Sequence, residues 1–150
     1  MKKMIASIAA LLVVVSATTL TAEVDLKGVK CVVAPKDATL DKTAKYKEGN
    51  VYFCCNGCAG KFAKDTKKFA DKANHQLVAT KQYVQKSCPI SGRDVNPEIS
   101  AKVAGTKVGF CCEGCSGKVE KAEDDAAKLA IVFNDKSFEK GFEKAKKETK

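Results

Sequence analysis

The chain has no tryptophan, one histidine and one arginine. There is no plausible Ser-His-Asp set, with His75 the one histidine. Neither a P-loop nor a Gly-x-Gly-x-x-Gly run is present to cradle phosphates. Asp37 and Asp94 recur at matching places, but a single acid in a turn segment is an Asx-turn former before it is a general base. Ordinary catalysis therefore finds no support, and the chain reads as a non-enzyme. The formal net charge is +9, carried by lysine with Arg93 the sole exception. A nucleic-acid interface usually shows arginine with interleaved aromatics. The lysines are read as solvated faces, with no nucleic-acid partner.

Long hydrophobic runs are missing too. The longest, Ile5 to Val15, falls well short of the roughly 20 residues of a membrane-spanning helix. It follows Lys2-Lys3 and precedes small residues, with Ala17 and Ala22 as candidate cleavage ends. This is the pattern of a secretory signal peptide, assigned to 1–22. No cysteine lies near that run for lipid attachment. The expectation is a bacterial exported protein, periplasmic or secreted, with no stable membrane span after cleavage.

What is abundant is cysteine, and it is ordered. Cys31 is followed by twenty-two residues and then Cys54-Cys55-Asn56-Gly57-Cys58. Cys88 is followed by twenty-two residues and then Cys111-Cys112-Glu113-Gly114-Cys115. Each cysteine of the first set recurs 57 positions on, and the 8 cysteines are all used. Asp37/Asp94, Lys45/Lys102, Val51/Val108, Phe53/Phe110, Gly57/Gly114 and Gly60/Gly117 match at the same offset. We read a duplication, with a first unit over 23–86 and a second over 87–150. Units of roughly 60 residues bury little core and commonly need a metal, a disulfide or a neighbour.

Each unit is expected to be a β-hairpin followed by a helix, giving a small α+β fold. Tyr46 to Cys54 reads as a hairpin with Gly49 and Asn50 as turn formers, and Val103 to Cys111 as another with Gly105 near its turn. Val51, Phe53, Val108 and Phe110 share a strand face and are core candidates. Cys58, Phe62 and Phe69, and Cys115, Val119, Ala122 and Ala126, fall at helical spacings. Asn56 is the expected N-cap of the first helix, with Glu113 at the same place in the second. Leu77-Val78 and Gln82 to Val84 suggest a strand, with Leu129 to Phe133 as its counterpart. A C-terminal amphipathic helix is expected through Phe138, Phe142 and Ala145, capped by Asp135 or Ser137. His75 has Val132 at its offset, so a duplicated site does not depend on it, and it is expected at the surface.

Cys54 closes a strand and Cys58 opens a helix, where free backbone N–H groups favour the metal-binding thiolate. Cys31 is carried in from a distant knuckle, completing the parts of a treble-clef-like site. The expected ligands are Cys31, Cys54 and Cys58, and likewise Cys88, Cys111 and Cys115. Cys55 and Cys112 stand as fourth ligand or reserve thiol. A structural zinc site normally closes with four ligands. The fourth place falls to Cys55 or Cys112, to a group from the other unit, or to water. Three thiolates alone suit Cu(I) or another soft ion, so zinc and copper both remain.

These residues resemble a known family. Tyr52-Phe53-Cys54-Cys55-Asn56-Gly57-Cys58-Ala59-Gly60-Lys61-Phe62 and Cys88-Pro-Ile-Ser-Gly, followed by Val108-Gly-Phe-Cys-Cys-Glu-Gly-Cys-Ser-Gly-Lys118, are similar to YHS domains and to TRASH metal-sensing domains. The resemblance spans roughly 31–70 and 88–125. It implies two tandem treble-clef-like zinc-finger units that bind heavy-metal ions through the six thiols named above. Such domains occur in metal-handling ATPases, transcriptional sensors and small secreted proteins, which implies a metal-handling membrane or exported protein as partner. The chain departs from the pattern in its knuckles, where Ala34 and Ser91 stand in place of a second cysteine common among such domains.

Three functions compete on this reading. The first is an exported protein that buffers, delivers or senses a soft metal ion. The second is a disulfide-stapled structural module, favoured by export and an even cysteine count. The third is a thiol–disulfide oxidoreductase using Cys55-Asn-Gly-Cys58 and Cys112-Glu-Gly-Cys115, although no βαβ pattern, tryptophan or flanking proline supports it.

Overall fold

Val51 and Phe53 alternate along one short strand, and Val108 and Phe110 along another; all four are fully buried. In the computed structural model, which describes residues 24–146, they lie at the centre of one continuous core. The leader assigned to 1–22 lies outside the described residues. β1 (Thr39–Tyr46) pairs antiparallel with β2 (Gly49–Phe53), and α1 (Asn56–Lys64) follows. A short 3₁₀ turn leads to α2 (Ala70–Ala79) and then β3 (Tyr83–Gln85). The order then recurs with an additional helix before the last strand. β4 (Asn96–Val103) pairs with β5 (Thr106–Phe110), and α3 (Glu113–Glu120), α4 (Asp125–Val132), α5 (Asp135–Gly141) and β6 (Phe142–Lys144) follow. The fold is small and α+β. Among the described residues no helix is long and apolar enough to cross a membrane.

The two hairpins share even their irregularity. The ladder slips between Thr39 and Thr43, and again between Asn96 and Ser100, at the same offset as the cysteines. The halves then join through β3 and β6, which pair antiparallel. Lys86 N–H donates to Gly141 O at 2.8 Å and Ala145 N–H to Gln82 O at 2.9 Å. These reciprocal bonds give the joint an approximate two-fold character. Tyr83 and Phe142, at opposite corners of this sheet, both pack on Phe138.

Glutamine side chains cover the outer strand edges. Gln76 Nε2 donates to Tyr52 O at 3.0 Å and its Oε1 accepts from Tyr52 N–H at 2.6 Å. Gln82 treats Asn50 in the same way, and Gln85 treats Gly109. Each amide thus imitates a neighbouring strand and satisfies backbone groups that burial would otherwise leave unpaired.

Several expected elements differ. Gly49 is not in the turn, which is Lys47-Glu48; it opens β2, where an added Cβ would stand 2.7 Å from Leu77 Cδ2. Close approach, not turn chemistry, requires glycine there. Leu77 and Val78 are helical, and so are Leu129 to Val132, because these segments are the packed second helices α2 and α4. Neither first helix runs on at its apolar spacing. Asp65 breaks one by accepting from Lys68 N–H, and Asp124 restarts the other by capping Ala127 N–H at 2.7 Å.

The C-terminal helix is also shorter than expected. Asn134, not Asp135 or Ser137, caps it: the Oδ1 accepts from Ser137 N–H, while the same amide group donates back to Ala130 O. It ends at Gly141, whose Cβ position is 2.7 Å from Pro89 Cα. Phe142 then leaves as a strand and stacks on Phe133 at 5.2 Å. His75, expected at the surface, is instead mostly buried between the halves. Its Nε2 is 2.9 Å from Thr106 Oγ1, and its ring meets Phe133 edge-on. Burial holds it neutral, lowering its pKa to about 4 against a smaller upward pull from Asp125.

Candidate metal centre

Each thiol group assembles from three pieces of chain. The first piece is a knuckle, closed by Cys31 N–H donating to Lys36 O and by Cys88 N–H donating to Arg93 O, both at 2.8 Å. The second is the end of the hairpin, which brings Cys54 or Cys111. The third is the first turn of α1 or α3, which brings Cys58 or Cys115. The knuckle cysteines and the helix cysteines are buried, and Cys54 and Cys111 are half-buried. The sulfurs of Cys31, Cys54 and Cys58 all lie within 4.8 Å of one another, as do those of Cys88, Cys111 and Cys115. These two groups of three thiols can each hold a metal ion.

The spacing fits that chemistry. Cys54 Sγ is 3.6 Å from Cys58 Sγ, and Cys111 Sγ is 3.7 Å from Cys115 Sγ. Sulfurs held about 2.3 Å from a tetrahedral zinc ion stand about 3.8 Å apart. A disulfide would bring them to about 2.05 Å, and all the described cysteines are free.

Cys55 and Cys112 occupy a different position. The strand has ended, and Cys55 is exposed while Cys112 is half-buried at the margin of the core. Both adopt extended backbone (φ −163°, ψ 164° and φ −163°, ψ 162°) as the residue preceding the helix. They displace Asn56 and Glu113 from the N-cap, because the helical turn begins with Cys55 O and Cys112 O accepting from Ala59 and Ser116 N–H. Their sulfurs lie 3.9 and 3.7 Å from those of Cys54 and Cys111, on the outer side of each triad. The Cys58 and Cys115 backbone N–H groups pull Cys55 and Cys112 below the usual thiol range. Neither sulfur makes a cap bond of ordinary geometry, so this is the field of the helix start.

Within the triads, opposing effects separate the thiols. Burial pushes Cys58 and Cys115 up to about 12. Burial also raises Cys31, but backbone N–H groups of Cys54, Val33 and Ala34 outweigh it and the net direction is down. Cys88 follows the same course, pulled down by the Ser91 hydroxyl and N–H. Cys54 is raised by burial, whereas Cys111 is lowered, first by the Ser91 hydroxyl.

Two neighbours of the second triad were not singled out as site residues from sequence. Ser91 Oγ is 3.1 Å from Cys111 Sγ, and Arg93 Nη2 is 3.5 Å from Cys111 Sγ and 3.8 Å from Cys112 Sγ. The ungapped repeat carried a signal: Arg93 is the residue that closes the knuckle, where the first unit has Lys36. No protein-family model matches this chain, and no curated protein or solved structure matches it at a significant level.

Proposed function

We propose that this chain is an exported, non-enzymatic protein that binds a soft heavy-metal ion, zinc or copper(I), at two thiolate sites and buffers, delivers or senses it. Cys31, Cys54 and Cys58 would hold one ion, and Cys88, Cys111 and Cys115 the other. Each unit is then a treble-clef-like finger in which strand end, helix start and knuckle meet at the ion. The observation that carries this reading is the convergence of three sulfurs in each half at separations suited to a common ion. An all-sulfur donor set is the chemistry of soft ions. Bound metal would cross-link three chain segments and add folding free energy that a small unit's core does not supply. Export rests on the apolar leader, and a metal-handling membrane or exported protein is the partner class.

Replacing Cys58 and Cys115 together with serine should abolish binding of zinc or Cu(I), measured anaerobically by metal analysis after gel filtration. Retention of metal at wild-type stoichiometry would refute the ligand assignment. One observation favours a second reading. Exposed Cys55 precedes buried Cys58 by three residues at a helix start, the layout of a C-x-x-C redox pair. Cys31 and Cys54 weigh against it, since a redox pair does not need two further converging thiols. Activity in an insulin-reduction assay would promote it.

A further inference from the structure

Resting on the metal-binding reading, we propose that the two sites are unequal: Cys88, Cys111 and Cys115 form a retention site covered by Ser91 and Arg93, and Cys31, Cys54 and Cys58 form an exchange site. Three thiolates on a divalent ion leave a net negative charge, and on a monovalent ion a larger one. That charge sits on the sulfurs. In the second half, the Ser91 hydroxyl is in reach of Cys111 Sγ at 3.1 Å, and the Arg93 guanidinium spans Cys111 and Cys112 at 3.5 and 3.8 Å. Donors of this kind stabilise an anionic sulfur and oppose its protonation or attack by a competing ligand. Cys112, beside Arg93, is half-buried, whereas Cys55 is exposed.

The first half lacks each part of this cover. Ala34 stands at the Ser91 position and offers no side-chain donor. Lys36 stands at the Arg93 position and is exposed, and among the described residues it donates to no sulfur. The loop itself differs. Gly92 has φ +79° and donates its N–H to Cys88 O at 2.7 Å, which presents Ser91 Oγ to Arg93 N–H at 3.2 Å. Pro35 replaces it in the first knuckle, with no N–H and a ring that fixes φ near −65°. The backbone that aims Ser91 and Arg93 at sulfur is therefore unavailable there.

The test uses full-length protein loaded anaerobically with cobalt(II), whose sulfur-to-metal charge-transfer band reports each site. C54S/C58S leaves the second site and C111S/C115S the first. On addition of excess chelator, the second site should lose its band roughly tenfold more slowly than the first. R93A should remove most of that difference while leaving the initial band, and R93K should restore part of it. The graft A34S/P35G/K36R should slow release from the first site. In protein with both sites intact, release should be biphasic, and R93A should speed the slow phase alone, a readout independent of how the serine variants fold. Equal rates at the two sites, or no response to R93A, would overturn the proposal. Absence of the band from the intact protein would instead overturn the metal reading on which it stands.

Discussion

The first knuckle reads Cys-Val-Val-Ala-Pro-Lys and the second Cys-Pro-Ile-Ser-Gly-Arg, yet the closing hydrogen bond is 2.8 Å in both. The cap residue before each helix has nearly the same dihedrals, and the hairpins slip register at equivalent places. Main-chain geometry has been kept at the knuckle closure, the hairpins and the helix starts, while the knuckle interior at Pro35 and Gly92 and the side chains around it have diverged. In the first half, Tyr52 is buried beside Ala38; in the second, Gly109 occupies the Tyr52 position and Val95 fills the space from the Ala38 position. A large–small pair has become a small–large one, with less side-chain volume in the second half. Backbone hydrogen bonding positions the thiols, and the neighbours decide how each group of sulfurs behaves.

Breaking the common core tests the shared part of the comparison and carries the largest expected effect. Phe53→Ala and Phe110→Ala should each cost about 3–5 kcal/mol of stability by denaturant titration. Because one cluster joins the halves, unfolding should remain a single transition in both variants. Two separated transitions would show that the halves fold independently.

The strand-edge clamps should sharpen the difference. Gln76→Ala leaves a buried N–H and C=O of Tyr52 without partners and should cost about 2–3 kcal/mol. Gln85→Ala uncovers half-buried Gly109 and should cost about 1 kcal/mol. Equal losses, by the same titration, would mean that burial does not set the value of these clamps.

A pH-dependent effect separates His75 from its counterpart Val132. The folded-state pKa of His75 is about 4, below its unfolded value of about 6.5. Between those values the unfolded chain binds a proton that the folded chain does not. Stability therefore falls as pH drops from about 6.5 to 4, with a slope of at most about 1.4 kcal/mol per pH unit. His75→Phe should flatten that part of the stability profile relative to wild type. An unchanged slope would remove His75 from the account.

Much of the site was legible because cysteine spacing records its own geometry. An ungapped offset and a β-branched and aromatic strand running into a helix start place three thiols without knowledge of anything distant. The second half of each unit was less legible. Leu77 and Val78 carry a strand-like local pattern, but α2 packs against β2, and tertiary burial overrides propensity. Gly49 looked like a turn residue because the approach of Leu77 and Gln82 is invisible in local sequence. Phe142 kept helical spacing with Phe138, yet the pairing of β6 with β3 over fifty residues away draws it out of the helix. Arg93 stood out in the sequence only as the one arginine, since its contact with sulfur depends on the knuckle that brings it to Cys111.

The most direct measurement is anaerobic native mass spectrometry of the purified protein, before and after chelator. The account predicts a folded chain carrying two ions that are lost to chelator, with the mass of eight reduced thiols. A folded, ion-free chain whose mass shows the sulfurs joined in bridges would contradict it.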